Sequence, residues 1–395
     1  MQINADEAAA GYKEELIKYR RHLHRHPELS FKEYETSAYV KEHLKKLKIP
    51  VLEGVSGNSV VGILKGSKPG PCLLFRADMD ALPVEEKTGL PFASVNPGVM
   101  HACGHDAHTA VMMCFAEFLA EHPELICGTV KLVFQQGEEL VPGGGSLIVE
   151  DGVLDDVDNV FAWHCSPEND IGRVIASEGP RMSSFDNFEI IIKGHGGHSA
   201  FPQLSSDVAT AAALIIMAYN ALAMHTADPM DPVTMTISNI ESGRHGIYNI
   251  IPDQARIEGN IRSLDNAVAQ KILDRVEETA VSICAANECE CEFIRHKGYP
   301  ALINDPELTP RLREALIAGG IDARKSEPIM ASEDFAFYTL KRPGTYFNVG
   351  TKNPADENTM YPAHNSFFRI DERALTLALK TFILTYMYMT GQQDG

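Results

Sequence analysis

The chain has 395 residues, 44% apolar and 23% charged, and 35 Lys and Arg against 54 Asp and Glu leave a net charge of −19. That length and composition suit two or three domains with full cores and exclude a disordered chain, while the acidic balance excludes phosphate backbones and anionic headgroups, so neither nucleic acid nor membrane is an expected partner. The opening residues lack an apolar leader, no run reaches ~18 uninterrupted apolar residues, and eight cysteines are too few for a disulfide scaffold, so a cytoplasmic protein is expected, with Cys72, Cys114, Cys127 and Cys284 as buried thiols.

In chain order, the pattern predicts helices over 14–24 and 35–47, strands over 59–64 and 72–77, a helix over 107–119, and strands over 129–134 and 159–163. Such alternation argues an α/β layer with a mostly parallel sheet. Between 182 and 296 the order changes to strand 185–193, helix 208–224, strands 233–240 and 254–264, helix 267–285 and strand 289–294. That is β-α-β-β-α-β, the ferredoxin-like order. Helix 310–318, strand 345–349 and helix 372–387 then resume the first pattern. The expected organisation is a catalytic α/β domain built from 1–181 and 297–395, interrupted by a smaller inserted domain at 182–296.

In open α/β sheets the working residues lie beyond the carboxyl ends of the strands. Asp78-Met79-Asp80 follows the second strand, Glu138-Glu139 and a glycine-rich turn follow the strand ending at 134, and His164 follows the strand ending at 163. His101-Ala-Cys103-Gly-His105-Asp106-Ala-His108 opens the helix. Thiolate, imidazole and carboxylate together suit a borderline-soft divalent ion such as zinc, and no spacing typical of redox iron stands out. The donors exceed what one ion needs, which favours two metals. Adjacent carboxylates at a strand end repel unless a cation or a proton intervenes. The bland alternatives are an N-cap for Asp106, turn caps for Asp78 and Asp80, core packing for Trp163, and structural or surface roles for His22, His24 and His26.

The runs 76–83 (RADMDALP), 100–108 (MHACGHDAH), Glu138-Glu139 with Pro-Gly-Gly after it, 194–198 (GHGGH), 249–253 (NIIPD), 332–335 (SEDF), and His364 ahead of 368–375 (FRIDERAL) occur in that order. Together they resemble the amidohydrolase branch of the aminoacylase and carboxypeptidase family of dinuclear metallohydrolases, which includes hippurate hydrolases, indole-acetyl-amino-acid hydrolases and N-acetyl-diaminopimelate deacetylases. The resemblance runs from about residue 20 to 375. It implies two divalent metal ions per subunit, manganese or zinc first and cobalt or nickel next, on Cys103, His105, Glu139, His164 and His364. It implies that Glu138 is the general base and that Asp80 orients a ligand. His198, in the inserted domain, would polarise the scissile carbonyl in a partner subunit, and Asn249 and Arg262 would hold the substrate. The inserted domain would then be a dimerisation or lid domain, and the protein a homodimer. Two departures, Gln203 after Pro202 and the segment 243–248 (GRHGIY), bear on the substrate and leave the reaction alone.

The residues agree with amide hydrolysis: a metal-activated water as nucleophile, Glu138 to take its proton and pass it to the leaving nitrogen, and Arg262 as a planar fork for a carboxylate. The expected substrates are N-acyl or N-aroyl amino acids. A dipeptidase, carboxypeptidase or aminobenzoyl-glutamate hydrolase would use the same chemistry. Two readings of other classes are a metal-dependent binding protein without turnover and a hydrolase with Cys103 as nucleophile.

Overall fold

The computed structural model describes residues 3–392. The chain forms two compact units, one of Met1–Gly179, Ile303–Glu327 and Asp334–Gly395, the other of Pro180–Leu302 and Pro328–Glu333. In chain order the elements are α1 (Ala5–Gly11), α2 (Lys13–Arg25), α3 (Tyr34–Lys46), β1 (Val60–Lys65), β2 (Lys68–Asp78), α4 (His105–Glu121), β3 (Cys127–Gln135), α5 (Gly144–Glu150), β4 (Asn159–Asp170) and β5 (Arg173–Ile175). Next come β6 (Gly179–Met182), β7 (Ser184–Lys193), β8 (Gly197–His198), α6 (Val208–Thr226), β9 (Val233–Ser242), β10 (Ile250–Ile251), β11 (Gln254–Ser263), α7 (Asn266–Ala286), β12 (Glu290–Lys297) and β13 (Leu302–Asn304). The chain closes with α8 (Leu308–Ala318), β14 (Asp322–Arg324), α9 (Ala336–Lys341), β15 (Gly344–Lys352) and α10 (Arg373–Met389).

The first unit is built on a seven-stranded sheet ordered β1-β3-β2-β4-β15-β5-β14. Its centre is parallel, β3 with β2, β2 with β4 and β4 with β15, while β1 and β5 join β3 and β15 antiparallel. This is the mostly parallel α/β sheet expected. The inner parts of β2 and β3, Leu73–Asp78 and Val130–Gln135, are buried throughout and apolar but for Arg76, Asp78, Lys131 and Gln135, as strands in a sheet covered by helices must largely be. Helix α4 is apolar on all sides and buried almost throughout, as a helix inside a core must be. Phe75 of β2 sits in edge or tilted contact with Phe115, Phe161 and Phe382 at 4.8, 5.2 and 5.1 Å between ring centres, tying α4, β4 and α10 to one point.

The second unit is an antiparallel sheet ordered β12-β7-β11-β9. Phe188, Ile190, Ile192, Ile257 and Ile261 of its strands pack with Ile215 and Tyr219 of α6 and with Ile272 and Val276 of α7. The β-α-β-β-α-β order is therefore present. Among the described residues α6 is the one helix long and apolar enough to cross a membrane by length and composition. It lies on this sheet with Val208, Ala211, Ala212, Ile215 and Tyr219 buried.

Some local expectations change. Asp106 is not an N-cap: Gly104 holds that place, and the Asp106 carboxylate takes Arg20 and His24 at 3.1 and 2.8 Å. Of its two expected roles His24 thus takes the structural one, buried and paired with Asp106. Cys72 and Cys127 are half-buried, near the outer start of their strands, while Cys114 and Cys284 are buried. Trp163 belongs to the core.

Candidate metal centre

Parallel pairing aligns the carboxyl ends of the central strands, so Asp78 at the end of β2 stands level with Gln135 at the end of β3, and His164 on β4 pairs with Asn348 of β15. Helix α4 begins just there. Gly104, between Cys103 and His105, has φ +89, and a Cβ on it would lie 2.9 Å from the Cys165 sulfur. Only glycine lets the chain turn Cys103 and His105 past β4. His364 arrives from the far end of the chain in the left-handed region, φ +66. Its N–H donates to the carbonyl of Ala102 at 2.7 Å, which fixes it beside Cys103.

These loops bring Cys103, His105, Glu138, Glu139, His164 and His364 together. Three sets have donor atoms within 4.8 Å of one another: Cys103 with His105 and His164, Cys103 with Glu139 and His364, and His105 with Glu138 and Glu139. The Cys103 sulfur is 3.4 Å from His164 Nε2, and Glu139 Oε1 is 3.2 Å from His364 Nε2. Shared donors across overlapping sets are what a pair of cations requires.

The imidazoles are oriented as ligands should be. Nδ1 of His105 meets the Asp80 carbonyl at 2.9 Å and its Oδ1 at 3.2 Å, leaving Nε2 buried with no hydrogen-bond partner among the described residues. Nδ1 of His164 donates to the Cys165 carbonyl at 2.7 Å, which turns Nε2 toward Cys103. A ligating histidine characteristically spends its other nitrogen in this way. Asp80 Oδ2 accepts from the Glu139 N–H at 3.0 Å, so one carboxylate aligns His105 and Glu139 together.

The electrostatics call for positive charge. Burial disfavours the His105 cation, yet Asp78, Asp80 and Glu139 outweigh it and push the pKa up to about 10. Burial, then Glu139, Glu138 and Asp78, push the Cys103 thiol well up. A free thiol there stays protonated and is a poor nucleophile, so the geometry disfavours Cys103 as an attacking group and makes a cation the condition for a thiolate.

His108, beside these groups, is not available to a metal. Its Nδ1 donates to Asp78 Oδ1 at 2.6 Å and its Nε2 accepts the Cys165 N–H at 3.0 Å, and burial lowers its pKa to about 4. It braces the middle of β4 beside His164. Asp78, which could have capped a turn, instead joins a buried network in which Arg76 binds Asp78 and Asp334 at 2.6 Å each and Gln135 at 3.0 Å. No motif spacing in the sequence marks this network. Its signal is Arg76 inside the apolar run 73–77, because a buried cation there needs carboxylate partners.

His198, Asn249 and Arg262 belong to the second unit. His198 pairs with Ile250 on the β8–β10 ribbon, and the Ser199 N–H donates to the Asn249 carbonyl at 3.1 Å. The exposed His198 ring takes the Ala200 N–H on Nδ1 at 3.1 Å, which leaves Nε2 as the outward N–H donor. Arg262 donates to the Met330 carbonyl at 3.1 Å and to Ser332 Oγ at 3.0 Å, over the ring of Phe185.

A profile of the Peptidase family M20/M25/M40 matches residues 74–386. Over 365 residues, 92% of each chain, the protein is 41% identical to thermostable carboxypeptidase 1 of Saccharolobus solfataricus. It is 36% identical to an N-acetyl-L-cysteine deacetylase of Bacillus subtilis, over 92% of this chain and 85% of the other. The crystal structure of a dinuclear metal binding peptidase of the M20 family from Bacillus subtilis superimposes with a TM-score of 0.84 at 33% identity, covering 97% of this chain and all of the other. The chain belongs to the peptidase family M20/M25/M40. Within that family it is a metal-dependent amidohydrolase.

Proposed function

We propose that the protein cleaves the amide bond of N-acyl and N-aroyl amino acids, releasing a carboxylic acid and a free amino acid, with two divalent metal ions per subunit. The observation that carries this is the buried Nε2 of His105, without a hydrogen-bond partner among the described residues, amid Cys103, Glu139, His164 and His364. The donor set fits a borderline-soft cation, manganese or zinc before cobalt or nickel. Cations held there supply acidification of water and polarisation of a carbonyl oxygen.

The chain's own residues do the rest. Glu138 is buried beside Glu139 and takes the proton of the attacking water, then delivers it to the leaving nitrogen. Asp80 keeps His105 and Glu139 in place. His198 offers its outward Nε2–H to the developing oxyanion of a partner subunit's substrate. Asn249 on the same ribbon holds the substrate, and Arg262 shapes that binding from where Ser332 and Met330 anchor it.

The surface of the second unit supports a homodimer formed through it. Leu214, Met217 and Met224 lie at helical spacing on the outer side of α6 and are 41%, 72% and 79% exposed. Strand β9 is an edge of the adjoining sheet. An apolar stripe beside an open edge suits a second copy of itself. The eight thiols are all free, which supports a reducing, cytoplasmic setting.

A second reading, release of a carboxy-terminal amino acid from short peptides, is favoured by the 41% identity to a protein named as a carboxypeptidase. One assay separates the two. N-acetyl, N-benzoyl and indole-acetyl amino acids and a set of dipeptides are incubated in manganese and in zinc, and the released free amino acid is separated from substrate by chromatography and quantified. Release from the acyl amino acids in preference to the dipeptides is expected. Release from the dipeptides alone would establish the second reading.

A further inference from the structure

The loop between α2 and α3 makes contacts that the chemistry above does not use. Ser30 Oγ donates to Asp80 Oδ2 at 2.6 Å, the oxygen that also takes the Glu139 N–H. Three residues on, Glu33 Oε1 accepts the N–H of Phe31 at 3.0 Å and that of Gly137 at 2.7 Å. Gly137 immediately precedes the Glu138-Glu139 pair.

Two further features show that this loop is fitted to its place. Phe31 is held in the left-handed region, φ +64, which is uncommon for a residue with a side chain. Its ring is the surface on which Gly137 rests: a Cβ on Gly137, itself at φ +61, would come within 2.6 Å of it. Asn58 Nδ2 spans the Phe31 carbonyl at 3.2 Å and Glu33 Oε2 at 3.4 Å and locks both.

Glu33 is fully buried, and its hydrogen-bond donors are two backbone amides and a side-chain amide, with no ion pair to it among the described residues. A buried carboxylate without a cation costs stability. Burial, with Asp80 nearby, raises its pKa to about 7. The charge therefore does not serve the fold, and its position is explained by what it holds.

We propose that Glu33 is a positioning residue for the reaction: through the Gly137 amide it fixes the turn from which Glu138 and Glu139 project, while Ser30 fixes Asp80 from the same loop. This rests on the reading of Glu138 as the general base. Groups that align a base and its ligands act on the chemical step, since a misplacement of about 1 Å can cost about 10²-fold in rate.

The test compares the full-length, metal-loaded wild type with Glu33→Ala, Glu33→Gln, Ser30→Ala and Asn58→Ala, recording kcat, KM, bound metal and melting temperature. Glu33→Ala is expected to lower kcat by about 10- to 100-fold with KM within about twofold. Glu33→Gln keeps an acceptor for the Gly137 N–H, so it should recover most of that loss and melt no lower than wild type. Ser30→Ala and Asn58→Ala should each lower kcat by about threefold or more, as the loss of one hydrogen bond allows. The proposal is overturned if Glu33→Ala keeps kcat within twofold of wild type, or if both Glu33 variants lose activity only in proportion to lost folded protein. Should Glu33→Ala not fold, an unchanged kcat in Asn58→Ala and Ser30→Ala overturns it instead. A wild type inactive on every amide would defeat the functional reading, whereas an active wild type with indifferent variants defeats the clamp alone.

Discussion

Asp80 and His105 share a contact that determines which nitrogen of the imidazole is left for a metal. Nδ1 of His105 faces the Asp80 carbonyl and Oδ1 at 2.9 and 3.2 Å, so Nε2 points into the cluster of donors. Removing the carboxylate leaves the ring held by the Asp80 carbonyl alone and releases the Glu139 N–H. Asp80→Ala should therefore weaken metal binding by about 10- to 100-fold, measured by competition with a chromogenic chelator. An unchanged affinity would mean that Asp80 aligns nothing.

Glu138→Gln separates binding from proton transfer. Gln has the same shape but cannot take a proton, and Glu139 remains for the metal. The variant should fold, carry its full metal content by elemental analysis, and lose about 10²- to 10⁴-fold in kcat. Turnover near that of wild type would remove Glu138 from the role of base.

Metal removal should be visible at Cys103. Its surroundings hold the thiol protonated in the absence of a cation, and its 8% exposure leaves it reachable once the neighbouring ligands loosen. In the metal-loaded protein Cys103 should resist iodoacetamide at every pH, and after chelation it should be alkylated slowly near neutral pH and faster as the pH is raised, as read by peptide mass spectrometry. Equal labelling with and without metal would make Cys103 a packed thiol and nothing more.

Glu33 also makes a prediction about stability. Its folded pKa is raised from 4.5 to about 7, by burial and then by Asp80. Between those values the folded metal-free protein binds a proton that the unfolded chain has released, so this group's contribution falls as pH rises, and the penalty is complete above about pH 7. Glu33→Gln removes the penalty. Its melting temperature should match wild type near pH 4.5 and exceed it increasingly up to pH 7, with a ceiling of about 3 kcal/mol at about 1.4 kcal/mol per pH unit. A difference independent of pH would show that Glu33 does not titrate in this window.

The elements that carry the site were legible because their patterns are strong. Residues 73–77 and 130–134 are apolar but for Arg76 and Lys131, and 107–119 is apolar over most of its surface. Helix α1, seven residues long, is too short for a period to emerge, although Asn4 caps it by accepting the amides of Asp6 and Glu7. The candidate ligands were legible as residue types near expected strand ends, although β4 runs past His164 to Asp170, so that His164 projects from within the strand. Their supports were not, because each lies far away in sequence: Asp334 under Arg76, His108 against Cys165, Glu33 against Gly137. A sequence shows that Arg76 needs a carboxylate but not which one.

The last prediction concerns the second unit. If His198 serves a neighbouring subunit, two inactive variants can repair each other. Glu138→Gln lacks the base but carries His198, and His198→Ala lacks the imidazole but keeps Glu138. In a mixed dimer one site holds both intact residues. Co-expression should therefore restore activity above that of either variant alone, to at most about a quarter of wild type, because random pairing makes half the dimers mixed and each has one complete site. The same surface can be broken directly. Met217 is 72% exposed on the outer stripe of α6, and Met217→Asp would bury an unpaired charge in any interface formed there. It should yield monomers by light scattering, with the activity lost while the melting temperature of the monomer stays near that of wild type. Absence of complementation in co-expressed mixtures would keep His198 in its own subunit, and a fully active monomer would end the dimer altogether.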